Sequence, residues 1–456
     1  MENTLQDTIV ARSTPAGKGA IAIIRLSGPK AHQVAAKLWS GKQPLDQLKP
    51  QRLYVGWVGH GGESIDHAML TIAHSPQSYT GEDMVELHTH GSPAVVDEIL
   101  QLALAQGARL AEPGEFTRRA LLNGKLDVAQ AEAVADLVEA ESRQLVRLAA
   151  DQLAGGLSTK MRQLTQEITA LSAGEAAHLD FSEEDIADRA TEELLNGVQA
   201  ITQKLQNLLD QSRNTPLLRE GVRVALVGLP NAGKSTLLNS LLGYERSIVT
   251  DVAGTTRDTI EERISIQGLP VRLVDTAGLN TDPDHVEAIG IQRTHETVQA
   301  ADIVMVLVAP NKLTDTEEYL KQSKLVDVIS TKPTVLVATK ADRDGTPLQA
   351  DWAKQTLSIA AVTGEGIDEL KQTLYTLADI HMPSDGAALT TQRQFELVSS
   401  AIQHLNAATQ ALTDGVPRDV VLVELEAAAK ALNEITGTDT NEAMLDDMFS
   451  RFCIGK

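Results

Sequence analysis

Cysteine is nearly missing from this chain of 456 residues, and Cys453 stands alone, so no disulfide forms within it. Aromatic residues make up only 3%, which leaves few platforms for stacking unpaired bases. Positive charge is short as well. Against 62 Asp and Glu stand 40 Lys and Arg, a formal net charge of −22, whereas a general nucleic-acid binder wants a basic surface. That balance still permits a local basic patch, or a nucleic acid brought by a partner. No apolar run approaches the roughly 20 residues of a membrane span, and the N-terminus carries no signal-peptide pattern. A cytoplasmic or organelle-matrix protein is expected. The 42% hydrophobic and 22% charged content fits a globular chain, and its length calls for two to three domains.

Residues 1–120 read as a mixed α+β domain. Strand-like runs at 8–11, 20–26, 53–58, 68–73 and 84–88 are mostly separated by Gly- or Pro-containing turns, and Ser92-Pro93 opens an amphipathic helix to about Ala105. From about Lys125 the pattern changes to helices rich in Ala, Leu, Glu and Gln, predicted over 129–154, 157–179 and 191–211. The acidic stretch 180–185 between the last two reads as a solvated loop. Asn214-Thr215-Pro216 marks a boundary. Strand and helix then alternate over 221–379, with strands at 222–227, 263–266, 272–274, 303–308 and 334–338, as in a sheet covered on both faces. Helical character returns after Pro383, at 392–412 and 419–435. The expected organisation is therefore an α/β domain inserted into a discontinuous all-α domain formed by 121–220 and 380–456.

The most informative stretch is Gly228-Leu229-Pro230-Asn231-Ala232-Gly233-Lys234-Ser235, a GxxxxGK[ST] loop between an apolar strand and a helix start. Such a loop aims successive backbone N–H groups at one point, and the helix N-terminus adds partial positive charge, so a polyphosphate is held there. Asn231, Ala232, Gly233, Lys234, Ser235 and Thr236 are its candidate contacts. Lys234 reaches the β- and γ-phosphates, and the Ser235 hydroxyl ligates Mg2+. Asp275-Thr276-Ala277-Gly278 follows 41 residues after Lys234, where a carboxylate holds Mg2+ through water and a glycine N–H meets the γ-phosphate. Between them runs the polar loop 248–258, suited to ordering around the γ-phosphate. Either Thr255 or Thr256 offers the metal a hydroxyl. Thr339-Lys340-Ala341-Asp342 ends another apolar strand. Asp342 there accepts from N1–H and N2–H of guanine, donors that adenine lacks, while the Lys340 stem lies over the base.

These motifs are those of translation-factor-class GTPases. Together with Asn231, the run Gly254-Thr255-Thr256-Arg257-Asp258, the segment Tyr79-Thr80-Gly81-Glu82-Asp83 and the ending Cys453-Ile454-Gly455-Lys456, they resemble the MnmE (TrmE) family of tRNA-modifying GTPases over essentially the whole chain. The resemblance implies a Ras-like P-loop GTPase domain at 221–379, inserted in the helical domain, and an N-terminal domain at 1–120 that dimerises and binds a tetrahydrofolate. It implies a homodimer that works with the flavoprotein MnmG, which brings the FAD. The pair adds a carboxymethylaminomethyl or aminomethyl-type group to the wobble uridine of certain tRNAs. By resemblance, K+ accelerates hydrolysis from a cage of the Asn231 side chain and the carbonyls of Thr250, Val252 and Thr255, and Thr256 is the Mg2+ ligand. Leu279 stands where many GTPases carry glutamine, and the resemblance gives the water-orienting role to Glu287. It places 5-formyl- or methylene-tetrahydrofolate on Arg25, Glu86, Lys125 and Lys456, and Cys453 near the modification chemistry. His88-Thr89-His90 offers only two histidines, too few for a metal site within the motif.

Two motifs on the guanine side depart from the pattern, and Asn280 replaces a charge common after the Asp275–Gly278 turn. The guanine motif begins with Thr339 instead of asparagine, and Ala360-Ala361-Val362 replaces the usual serine-alanine pair. Ala361 still offers a backbone N–H to guanine O6. Retained guanine preference with weaker affinity is expected. The alternatives are a ribosome-assembly GTPase, which needs an RNA-binding appendage not evident here, and a GTP-gated scaffold without catalysis.

Overall fold

The computed structural model describes residues 7–140, 142–180, 187–245, 261–275, 287–342, 348–380, 387–437, 442–450 and 452–456. They divide into two compact units. One contains residues up to 135, 153–185 and 410–456, and the other contains 136–152 and 186–409.

The first unit is built on a seven-stranded sheet of β1 (Ile9–Arg12), β2 (Gly19–Ser27), β3 (Trp39–Gly41), β4 (Tyr54–His60), β5 (Glu63–Ala73), β6 (Met84–Gly91) and β7 (Arg109–Leu110). The strand order is β3-β4-β5-β6-β2-β1-β7, antiparallel except where β1 meets β7. Burial alternates with period two. Ala68, Leu70 and Ile72 of β5 and Val85 and Leu87 of β6 point to one face. The helices Ala31–Leu38 and Pro93–Ala105 cover that face with Val34, Leu38, Val96 and Ile99. The opposite face is largely open and carries Arg25, Glu86 and the exposed Ile21, Val55 and Trp57. In the same unit Gly156–Asp180 packs along Arg418–Thr436, where the Arg418 guanidinium donates to both carboxylate oxygens of Glu175 at 2.7 and 2.8 Å. A smaller core of Val128, Leu445, Phe449 and Phe452 joins the helix Glu442–Ser450 to the start of the helix Val128–Glu139.

The second unit is a six-stranded sheet of β8 (Val222–Val227), β9 (Glu261–Ile266), β10 (Leu269–Asp275), β11 (Ile303–Val308), β12 (Thr334–Ala338) and β13 (Gln355–Ser358). Its order is β13-β12-β11-β8-β10-β9, with all pairs parallel except β9 with β10. β11 and β12 are buried at every position, which is why they read as unbroken apolar runs and not as alternating ones. Chain order reverses about β8, leaving a crevice at the carboxyl ends of the strands.

The single helix predicted over 129–154 is two helices, Val128–Glu139 and Arg143–Leu153. Ser142 Oγ accepts the Leu145 N–H at 3.0 Å and restarts the helix as its cap. Leu145 and Leu148 then reach the core of the α/β sheet.

Candidate functional site

The crevice of the second unit holds the phosphate loop. β8 ends at Val227, the loop turns through Gly228 (φ 159°), Asn231 (φ 60°) and Gly233 (φ 98°), and the helix Lys234–Glu245 begins. A Cβ at Gly228 would stand 2.5 Å from Leu307 O, so the close approach to β11 requires glycine. Lys234 is buried, and its ammonium folds back onto the loop, donating to Gly228 O and to Leu229 O at 3.1 Å. Burial pushes its pKa below the ordinary lysine value, opposed by the Asp275 carboxylate. Asp275 is buried at the end of β10. Ser235 and Thr236 are exposed on the first turn of the helix. These positions fit a Mg2+ held between the Ser235 hydroxyl and the Asp275 side.

The loop after β12 is fastened to the phosphate loop. Thr339 Oγ1 donates to Ala232 O at 2.7 Å, and Lys340 Nζ donates to Asn231 O at 3.1 Å. Thr339 is buried, so the hydroxyl that stands in place of asparagine still braces the phosphate loop. Lys340 adopts a left-handed backbone (φ 58°) that turns the chain toward the exposed Asp342. Ala341 N–H donates to Ile359 O at 3.0 Å, which joins the 339–342 loop to the segment before Ala360, and Ala360 N–H donates to Glu365 O at 3.0 Å within the second loop. Ala360 is buried, Ala361 is half-buried and Val362 is exposed. Asn231 to Thr236, Asp275, Thr339, Lys340, Asp342 and Ala360 to Val362 thus gather at one edge of one sheet. Glu287 opens the helix Glu287–Ala300. Thr250, Val252, Thr255, Thr256, Thr276, Ala277 and Gly278 lie outside the described residues.

The first unit holds a second constellation. Arg25 and Glu86 are direct neighbours across β2 and β6, and Thr71 of β5 stands on the other side of Glu86. Arg25 and Glu86 form an ion pair at 2.9 Å, and His88 Nε2 lies 3.5 Å from the second carboxylate oxygen. The Arg25 guanidinium also sits over the rings of Tyr79 and Phe116, 5.4 and 5.5 Å from their centroids. Glu86, Lys125, Tyr79 and Met84 line a cavity of about 540 Å3, within the range of small-molecule sites. Lys125 Nζ donates to Pro76 O at 3.1 Å at its margin. The apolar walls, the Glu86 carboxylate and the lysine are a donor set that fits a flat heterocycle with an anionic tail.

The segment 453–456 is fixed beside this cluster. Gly114 N–H donates to Cys453 O at 3.3 Å, Phe116 N–H donates to Lys456 O at 3.1 Å, and Ile454 bridges to Pro113. Gly455 has φ 95°, and a Cβ there would stand 2.1 Å from Arg12 O, so only glycine fits. Burial pushes the Lys456 amine below its ordinary value, Cys453 works against this, and the Arg25 guanidinium adds to it. Lys456 is therefore near enough to Arg25 to feel its charge. Cys453 is exposed.

Sequence reasoning passed over the support beneath the Tyr79–Asp83 segment. Arg119 is 2% exposed and binds Asp7, Glu82 and Glu115, while Arg109 binds Asp7 and Glu115. Ser27 Oγ meets Thr80 Oγ1 and Glu82 Oε2, each at 2.7 Å. In the sequence this network shows only as an arginine beside Phe116, Thr117 and Ala120, which are buried with it in the helix Glu115–Leu122.

Comparison with known proteins agrees with this layout. The family model described as the MnmE helical domain matches residues 128–453, and the one described as the GTP-binding protein TrmE N-terminus matches residues 8–125. A protein of Listeria welshimeri named tRNA modification GTPase MnmE is 38% identical over 460 residues, covering 99% of each chain. One of Thermotoga maritima with the same name is 39% identical over 458 residues, covering 99% of this chain and 100% of its own. The solved G domain of the T. maritima FeoB iron transporter is 24% identical, covering 34% of this chain and 98% of its own, with a TM-score of 0.26. The two family models and the full-length relatives place the chain in the MnmE family of tRNA modification GTPases.

Proposed function

We propose that the chain is a K+-dependent GTP hydrolase that acts with the flavoprotein MnmG on the wobble uridine of certain tRNAs. The pair adds a carboxymethylaminomethyl or aminomethyl-type group at C5, with a tetrahydrofolate as one-carbon donor. The observation that carries the nucleotide part is the fastening of the 339–342 loop to the phosphate loop through Thr339 and Lys340. It couples the guanine-reading Asp342 to the loop that cradles phosphates, so base identity and phosphate position are sensed by one rigid element.

In this reading Lys234 exchanges the Gly228 and Leu229 carbonyls for the β- and γ-phosphates, which offset the burial that depresses its pKa. Ser235 and Thr256 hold Mg2+, with Asp275 behind them, and Glu287 orients the attacking water. Asn231, with the carbonyls of Thr250, Val252 and Thr255, holds K+. The two cations supply positive charge against the developing negative charge of the transferring phosphoryl group. Arg25, Glu86, Lys125 and Lys456 hold the folate, Glu86 meeting the donor edge of the pterin and the lysines its glutamyl tail. Cys453 and Lys456 pair with the backbone of Gly114 and Phe116, and the Phe116 ring lies under the Arg25 guanidinium, which supports a role near that site. The open sheet face with Ile21, Val55 and Trp57, 55, 59 and 50% exposed, supports dimerisation through residues 1–120. The helical domain is read as 121–220 with 380–456, and the cytoplasm as its location.

GTP hydrolysis compared in potassium and in sodium, at rising protein concentration and with ATP as control, tests the first half. Stimulation by potassium that grows with concentration, and no ATP turnover, is the expected result. Cation-blind hydrolysis overturns the cage. For the second half, calorimetry with 5-formyltetrahydrofolate should show at least tenfold weaker binding by Glu86→Ala. Unchanged binding removes the pocket.

A further inference from the structure

We propose that His32, His74 and Asp83 form a binding site for a divalent transition-metal ion of the zinc class in the N-terminal unit. His74 and Asp83 are the two ends of the connection between β5 and β6, and His32 comes from a helix more than forty residues earlier. His32 lies on the helix Ala31–Leu38, His74 directly follows β5, and Asp83 directly precedes β6. Their ligand atoms all lie within 4.8 Å of one another. His32 Nδ1 is 3.8 Å from Asp83 Oδ2, and His74 Nδ1 is 3.9 Å from Asp83 Oδ1. The two imidazoles meet edge to face, with centroids 4.7 Å apart. A tetrahedral ion with bonds of about 2.0–2.1 Å holds its ligand atoms roughly 3.3 Å apart. The two His–Asp pairs therefore need to close by about half an ångström, and the imidazole nitrogens, within 4.8 Å of each other, by up to about 1.5 Å.

The hydrogen bonding around the triad is that of a ligand set. His32 Nε2 stands 3.1 Å from Ala73 O. A carbonyl oxygen only accepts, so Nε2 carries a proton and Nδ1 is the ring atom turned toward Asp83. A cation between them, a metal ion or a proton on Nδ1, is what lets this nitrogen face a carboxylate. A ring N–H donated to a backbone carbonyl is also the usual way in which a metal-binding histidine is oriented. Asp83 is held in turn, its Oδ1 accepting the Ser75 N–H at 3.0 Å. Two imidazoles and one carboxylate suit zinc, cobalt or nickel, whereas magnesium and calcium prefer oxygen throughout. Three protein ligands leave a fourth position for water or an incoming oxygen or nitrogen ligand, the open form of such sites. His74 is 55% exposed along its side chain, so that position is reachable from solvent. The alternative occupant is a pair of protons, one on each Nδ1, balancing the same carboxylate.

The full-length chain, free of nucleotide, would be titrated with Co2+ at neutral pH while the visible d–d bands are followed. Zn2+ would then be added in competition with a chromophoric chelator. One tight equivalent is expected, with the band intensity of a four-coordinate ion, unaffected by excess Mg2+. His74→Ala and Asp83→Asn should each weaken Zn2+ binding at least tenfold, since even orienting partners of ligands are worth about 10- to 100-fold. Both positions are partly exposed, so the variants should keep the thermal transition of the parent. Cys453→Ser should leave Zn2+ binding intact. No tight equivalent, binding unchanged in both His74→Ala and Asp83→Asn, or binding lost in Cys453→Ser would each overturn the proposal.

Discussion

At the scale of single residues, Thr339 shows how a departure from a motif is absorbed. Its hydroxyl is shorter than the asparagine it replaces, yet it reaches Ala232 O at 2.7 Å. Thr339→Val keeps the shape and removes the bond, leaving a buried carbonyl of the phosphate loop with one partner fewer. Such a loss costs about 1–3 kcal/mol. GTP affinity should fall about tenfold, one such step being about 1.4 kcal/mol. Equilibrium binding of a fluorescent GTP analogue checks this, and unchanged affinity would show that the brace contributes nothing. The motif alone shows that Thr339 stands in place of asparagine, but a one-dimensional motif does not say which carbonyl its hydroxyl will meet.

At the scale of elements, the break between Val128–Glu139 and Arg143–Leu153 depends on Ser142. Ser142→Ala removes the acceptor for the Leu145 N–H and should lower stability by about 1 kcal/mol, measured as a shifted urea midpoint with an unchanged slope. Most long elements were legible. The buried runs of β8, β11 and β12 and the helices Pro93–Ala105, Gln392–Thr413 and Arg418–Thr436 carry enough periodic or apolar residues to declare themselves. The short strands β3, β7 and β13, of two to four residues, did not, since tertiary pairing and not local pattern makes them strands. The continuous alanine- and leucine-rich run hid the break at Ser142, because one capping serine leaves the periodicity on either side intact. For the sites, the phosphate loop and Asp275 were legible from spacing. The partners of Arg25 were not, because Tyr79, Glu86 and Phe116 meet it only through sheet register and the fold of the following helix.

At the scale of the whole molecule, acid acts in two directions. The net charge of −22 means that protonating carboxylates first relieves self-repulsion. The network of Asp7, Glu115, Arg109 and Arg119 responds the other way. Burial opposes ionisation of Asp7 and Glu115, but hydrogen bonds from the two arginines outweigh it and hold both carboxyls below their usual values. A depressed carboxylate stabilises the fold above its unfolded pKa, and that contribution disappears as pH falls through the folded value, here below the ordinary carboxylate range. Glu115→Gln should therefore cost about 3 kcal/mol near neutrality, as for breaking a buried pair. The gap to the parent should close below about pH 4, and urea titrations at several pH values would show it. A gap of constant size would exclude the ionic account. The clasp of residues 453–456 against Gly114, Phe116 and Arg12 has a consequence in time. These residues leave the ribosome after every other described residue, so a growing chain presents its N-terminal sheet and cavity without Lys456. In the proposed folate site the cluster is thus complete only once synthesis has passed the helical and nucleotide-binding segments.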